Sequence, residues 1–195
     1  MPSGVSSRTG WAVSLAGAAA FGAADQYLGT VRFLLEFGRW PSTASQVSAT
    51  WLLVPFLAGW TQRSPRSAAA IGLVTTQVAL VAYMLMTVSP IEGVPLATAP
   101  RAAAAMASAN MVYVVCGIAT GLLYGWLGYR WRTARSLLAA GMVIGAFCLE
   151  PPIRGAVGER YNGAVVWQVE VALGLAVAVA VAMKTAARSR ALRQP

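Results

Sequence analysis

Apolar stretches of roughly 18 or more residues recur along this chain, and this restricts what it can fold into more than any other feature. Lipid offers the backbone no hydrogen-bond partner, so each such stretch reads as a helix that satisfies its own N–H and C=O groups. Charge is too scarce for a soluble domain. Only 11% of the 195 residues are charged and 57% are hydrophobic, whereas a soluble domain carries about 25% charged residues. With a mean hydropathy of +0.61, the chain reads as all-α: one integral-membrane helical bundle over residues 1–195. Six spans are expected, at about 11–29, 46–60, 67–89, 102–129, 136–150 and 164–183.

Punctuation between the spans is uneven. Pro55 is a possible kink in the short second span, Pro90, Pro95 and Pro100 break up the third loop, and Pro151-Pro152 predict an abrupt stop to the fifth span. Residues 30–45, with Phe33, Leu34, Leu35 and Phe37, suit an interfacial segment or a lid. Basic residues set the orientation. Ten lie at the N-terminus, in the second and fourth loops and in the tail (Arg8, Arg63, Arg66, Arg130, Arg132, Arg135, Lys184, Arg188, Arg190, Arg193), against five in the alternate loops. The positive-inside rule then predicts a multi-pass cell-membrane protein with both termini cytoplasmic. The first apolar run also fits a cleaved signal peptide.

The formal charge of +9 sits in short loops, where it sets topology, and nucleic acid is not an expected partner. There is no histidine, which excludes a Ser-His-Asp triad, His acid–base catalysis and His-ligated metal. Cys116 and Cys148 lack CxxC spacing and fall inside spans, where buried small hydrophobes are the simpler reading.

The acids are few and grouped. Of the six, Asp25, Glu36, Glu92, Glu150, Glu159 and Glu170, three fall within spans. Asp25, Glu150 and Glu170 each lie about 21 Å above the cytoplasmic ends of their helices at 1.5 Å per residue. Intramembrane acids are costly and mark functional sites by default; here they are catalytic candidates. Equally, they could pair with Arg154 or Arg160, or bond between helices. Asn110, Tyr113 and Gly117 share a face of the fourth span, Trp167 precedes Glu170 by three residues, and Trp51 and Tyr83 reach a similar height. These side chains, Trp51, Tyr83, Asn110, Tyr113 and Trp167, are substrate-binding candidates, although Trp and Tyr also populate interfacial belts. Gly117, Gly121 and Gly125 form GxxxGxxxG, and Gly141 and Gly145 form GxxxG; the expected use is close packing of the fourth and fifth spans. Such stripes also suit contact between protomers, so a homo-oligomer is possible. Ala16, Ala20 and Ala24 form a similar stripe on the first span.

A carboxylic acid in a dry pocket can deliver a proton to an olefin or epoxide, and aromatic faces can stabilise the cation that results. A second carboxylate can remove the final proton. A prenyl chain is itself lipid-soluble, which gives this chemistry a reason to be inside a bilayer, and it needs no metal and no cofactor. No DDxxD or DxDD motif is present. In its size, its many spans and its paired membrane carboxylates, Asp25 in GAADQYLG and Glu150 in CLEPP, the chain resembles the small bacterial integral-membrane terpene cyclases of indole-sesquiterpenoid pathways and, more distantly, the fungal meroterpenoid cyclases. The resemblance implies cyclisation of a farnesyl-type chain, with Asp25 as proton donor and Glu150 or Glu170 as its partner or terminal base. Two other readings stay open. The substrate-capture subunits of energy-coupling-factor vitamin transporters are also small six-span proteins, with an AxxxA motif that Ala16, Ala20 and Ala24 match, and a membrane scaffold needs no ligand at all.

Overall fold

The computed structural model describes residues 7–30, 47–156 and 164–191, and among them the chain is helical with no strand. The elements in order are α1 (Ser7–Thr30), α2 (Ser48–Trp60), α3 (Pro65–Thr87), a 3-10 turn (Pro90–Glu92), α4 (Ala99–Ala109), α5 (Met111–Ala134), α6 (Leu137–Ala156) and α7 (Ala164–Ala191). Among the described residues four helices are long and apolar enough to cross a membrane: α3, α5, α6 and the Val165–Met183 part of α7. α2 is apolar but shorter. Residues 31–45 of the expected lid, with Glu36, and Glu159 and Arg160 of the last loop lie outside the described residues.

Three expectations change at the level of single helices. The fourth span, expected as one helix at 102–129, is two. Asn110 leaves helical geometry at φ −104° and ψ 15°, and its side-chain amide donates to the Met106 carbonyl at 2.8 Å. A short polar side chain that bonds the adjacent backbone competes with helix continuation. Pro151-Pro152, expected to end the fifth span, lie inside α6, which runs on to Ala156. The two prolines remove two N–H groups from the helix ladder, but the Glu150–Arg154 ion pair at 2.9 Å straddles them on one face. Pro55 likewise sits within α2, buried.

The third change concerns the glycine stripes. The α5 stripe packs against α3 and α2, not against the Gly141 and Gly145 helix. A Cβ at Gly121 would meet the Gly72 carbonyl and the Leu73 Cα; one at Gly125 would overlap the Ala68 carbonyl. Gly59 of α2 abuts Gly125, and Gly128 abuts the Phe56 carbonyl. Gly141 has open space, and Gly145 meets only Leu149 of its own helix, at 3.9 Å. On α1 the packing face is Ala18 and Gly22, which meets Ala79 of α3, whereas Ala16, Ala20 and Ala24 are exposed. Lipid supplies no hydrophobic drive between helices, so close approach of small residues carries the association.

Against α2, α5 and α6 a core forms around Phe56, Tyr124, Leu127, Ala139, Val143, Phe147 and Trp167. The other end of α2 is tied to the α5 end: Arg132 donates to the Gln62 carbonyl, and Gln62 accepts from Ser67 at 2.8 Å. Arg130, Arg132 and Arg135 lie over the rings of Trp126, Tyr129 and Trp131 at that end.

The seam predicts an asymmetry among glycines. Gly125→Leu should lower the melting temperature in detergent by an amount equivalent to about 1–3 kcal/mol or more of overpacking, whereas Gly141→Leu should leave it nearly unchanged. Equal losses at both positions would contradict the packing described here.

Candidate functional site

A cavity of about 390 Å³ lies among α1, α2, α3 and α5. Each helix presents one face to it by helical periodicity. From α2 come Ser48, Trp51 and Leu52; from α3, Thr76, Leu80, Tyr83 and Met84; from α5, Tyr113, Cys116, Gly117 and Thr120. Asn110, at the break before α5, and Asp25 of α1 complete the lining. Asp25 is the one carboxyl among these lining residues.

Asp25 is buried, and the indole Nε1–H of Trp51 donates to its Oδ2 at 3.2 Å. That bond engages one of the two carboxyl oxygens, Oδ2. Trp51 is itself fixed by rings on two sides. Phe21 lies edge-on at 5.2 Å between centroids and Tyr83 at 5.9 Å, the geometry favoured by aromatic quadrupoles. Phe21, one helical turn before Asp25, was not singled out from the sequence. Its i, i+4 spacing to the acid is the signal that would have found it.

Of the eight candidates, five line this cavity: Asp25, Trp51, Tyr83, Asn110 and Tyr113. The other three, Glu150, Trp167 and Glu170, gather elsewhere, where α6 and α7 meet the first turn of α2. Glu150 accepts from the backbone N–H groups of Ser48 and Ala49, both at 2.8 Å. A helix start leaves its first N–H groups without intrahelical acceptors, and Glu150 supplies the acceptors from another helix. Arg154 completes the arrangement, pairing with Glu150 at 2.9 Å, donating to the Ser48 hydroxyl at 2.8 Å and lying over the Trp167 ring at 5.5 Å. The alternative of an Arg154 pairing is therefore realised for Glu150. Glu170 is 3% exposed. Its carboxyl meets that of Glu150, and no N–H among the described residues donates to either oxygen.

The arrangement has a chemical consequence. Glu150 fixes the first turn of α2, Ser48 and Trp51 project from that turn into the cavity, and Trp51 holds Asp25. Among the described residues no group of three or more His, Cys, Asp or Glu side chains could hold a metal.

The clamp can be tested apart from any activity. Glu150→Ala leaves two backbone N–H groups without an acceptor, a cost of about 1–3 kcal/mol. Hydrogen exchange should then speed up at Ser48 and Ala49 while α3 and α5 keep their protection. Unchanged exchange at the start of α2 would refute the clamp. No family model, no curated protein and no solved structure matches this chain.

Proposed function

We propose that this protein is an integral-membrane, acid-initiated cyclase of a prenylated small molecule, with a farnesyl-type chain as the reacting part. The observation that carries the reading is the cavity itself: one lining carboxyl among the described residues, Asp25, held by Trp51 beside Tyr83 and Tyr113, in a bundle whose apolar helices suit a bilayer. In this reading Asp25 in its acid form gives its proton to the terminal olefin or epoxide. One C–H or O–H bond forms, and a tertiary cation results. An internal double bond attacks that cation and closes the ring by a new C–C bond. Loss of a proton from the neighbouring carbon restores an olefin.

Glu150 and Glu170 stand outside the cavity lining, with Glu150 engaged at the start of α2. We therefore assign the return proton to the Asp25 carboxylate, which makes the overall reaction an isomerisation with no metal or cofactor consumed. Trp51, Tyr83 and Tyr113 would face the cation, each ring contributing about 0.5–2 kcal/mol according to its burial, least for the exposed Tyr113.

We further infer a six-span arrangement in the cell membrane with both termini cytoplasmic. Its support is the charge at one end of the bundle, where Arg132 reaches Gln62 beside Arg63 and Arg66, and where Arg130 and Arg135 lie over aromatic rings. Basic and aromatic residues together suit the cytoplasmic interface.

Mass spectrometry of farnesylated small molecules incubated with the purified protein tests the function. Conversion should give a product of unchanged mass and altered retention. Asp25→Asn should lower the rate by about 10²–10⁴-fold, as expected for loss of a general acid. Trp51→Phe, which keeps a ring but removes the donor to Asp25, should cost roughly tenfold. No conversion, with copurification of an ATPase pair and retention of a vitamin-like molecule, would replace this reading by the transport one; full turnover in Asp25→Asn would remove the donor assignment.

A further inference from the structure

Ser48 and Leu52 line not one hollow but two. They form an i, i+4 ridge on α2, with Trp51 on its cavity side and Ala49 on the other. Beyond the ridge lies a groove of about 560 Å³ bounded by α2, Tyr124 of α5 and one face of α6. Gly141 and Gly145 form its floor, and Met142, Leu149 and Ile153 stand along it as exposed apolar side chains. Among the described residues neither glycine packs against another helix, since their Cβ positions meet nothing or only Leu149 of the same helix. From Gly141 to Ile153 the groove follows α6 for about 18 Å at 1.5 Å per residue.

We infer that this groove is a second subsite, which holds the non-reacting part of the lipophilic ligand whose reacting end occupies the cavity. The inference rests on the cyclase reading above. Two observations select this occupant. The cavity, at 390 Å³, lies near the lower end of the roughly 300–1,000 Å³ range of small-molecule sites, so it suits the reacting end and leaves the rest of a long chain to be placed elsewhere. The groove shares the Ser48–Leu52 ridge with it; Glu150 and Arg154 line the groove at the Ser48 end of that ridge, and the remaining lining along α6 is apolar. Gly145 then sets how much chain the subsite takes, because a larger side chain there would fill the floor without meeting the bundle.

Photocrosslinking in lipid nanodiscs tests this with two probes made from a C20 prenyl alcohol, one with a diazirine at the terminal isoprene and one with it beside the hydroxyl. Adducts that excess unlabelled alcohol displaces are mapped by peptide mass spectrometry. The terminal probe should label the segments carrying Trp51, Tyr83 and Tyr113, and the hydroxyl-end probe should label α6 between Gly141 and Ile153. Gly145→Leu should lower the α6 adduct by about tenfold and leave the cavity adduct in place. Gly141→Leu is a second block should the first variant fold poorly.

Hydroxyl-end adducts confined to the cavity walls, or unchanged by both substitutions, would overturn the subsite while leaving the cavity reading intact. A diazirine-labelled phosphatidylcholine that labels α6 and is not displaced by the alcohol would assign the groove to bilayer lipid. A dimer interface there would show instead as α6–α6 crosslinks between copies, with no displaceable adduct. A terminal probe that misses the cavity would overturn both readings together.

Discussion

The bundle depends on how closely its backbones approach, and for helices apolar enough to cross a membrane that approach would count for more than leaving water. The approach is closest where Gly59 of α2 meets Gly125 of α5, where Gly128 of α5 meets Phe56 and where Gly22 of α1 meets Ala79, and it stays close where Gly72 of α3 meets Gly121 and Gly125. No side chain other than hydrogen fits at these crossings. Everything nearer the other end of α2 follows from that seam. Below Tyr124 the α2–α5 pair is closed by Gly59, Gly125 and Gly128; above it, Trp51 and Leu52 on one helix and Cys116 and Thr120 on the other line a hollow. Small residues at one end and large ones at the other make a wedge, and the wedge is the cavity.

The polar groups answer a second constraint. α2 has 13 residues, about 20 Å of helix at 1.5 Å per residue, which is short of a hydrocarbon core of about 30 Å. Its free ends therefore need partners from the rest of the bundle. Glu150 meets the first N–H groups, and Arg132 meets the carbonyl of Gln62 just past the last turn. Two carboxyls that the sequence puts at one depth thus have different surroundings. Asp25 faces a cavity with one indole donor, while Glu150 is committed to backbone N–H groups and a guanidinium.

Much of the candidate site is legible in the sequence. Asp25, Trp51, Tyr83, Asn110 and Tyr113 were grouped by depth along their helices, and the fold brings those five together. Depth is a one-dimensional quantity, however. Glu150, Trp167 and Glu170 share it and yet lie on the other side of α2, because the angle around the bundle is set by which faces pack. The glycine stripes failed for the same reason: a GxxxG pattern says that a backbone comes close, but not which one. Asn110 and Pro151-Pro152 mislead locally, since a side chain bonding its own backbone ends one helix while the other runs on past both prolines.

By itself the sequence determined the helical class, the apolar character of α3, α5, α6 and α7, and the restriction of acidic chemistry to a few positions. The physical reason is that hydrocarbon permits few backbone solutions and tolerates few charges. Only the tertiary structure decided that α5 closes on α3 and α2, that Asp25 is the cavity's carboxyl, and that Glu150 holds the start of α2. Those are matters of contact between distant segments, Glu150 meeting Ser48 across 102 residues of chain, and no local pattern carries the angle at which two helices meet.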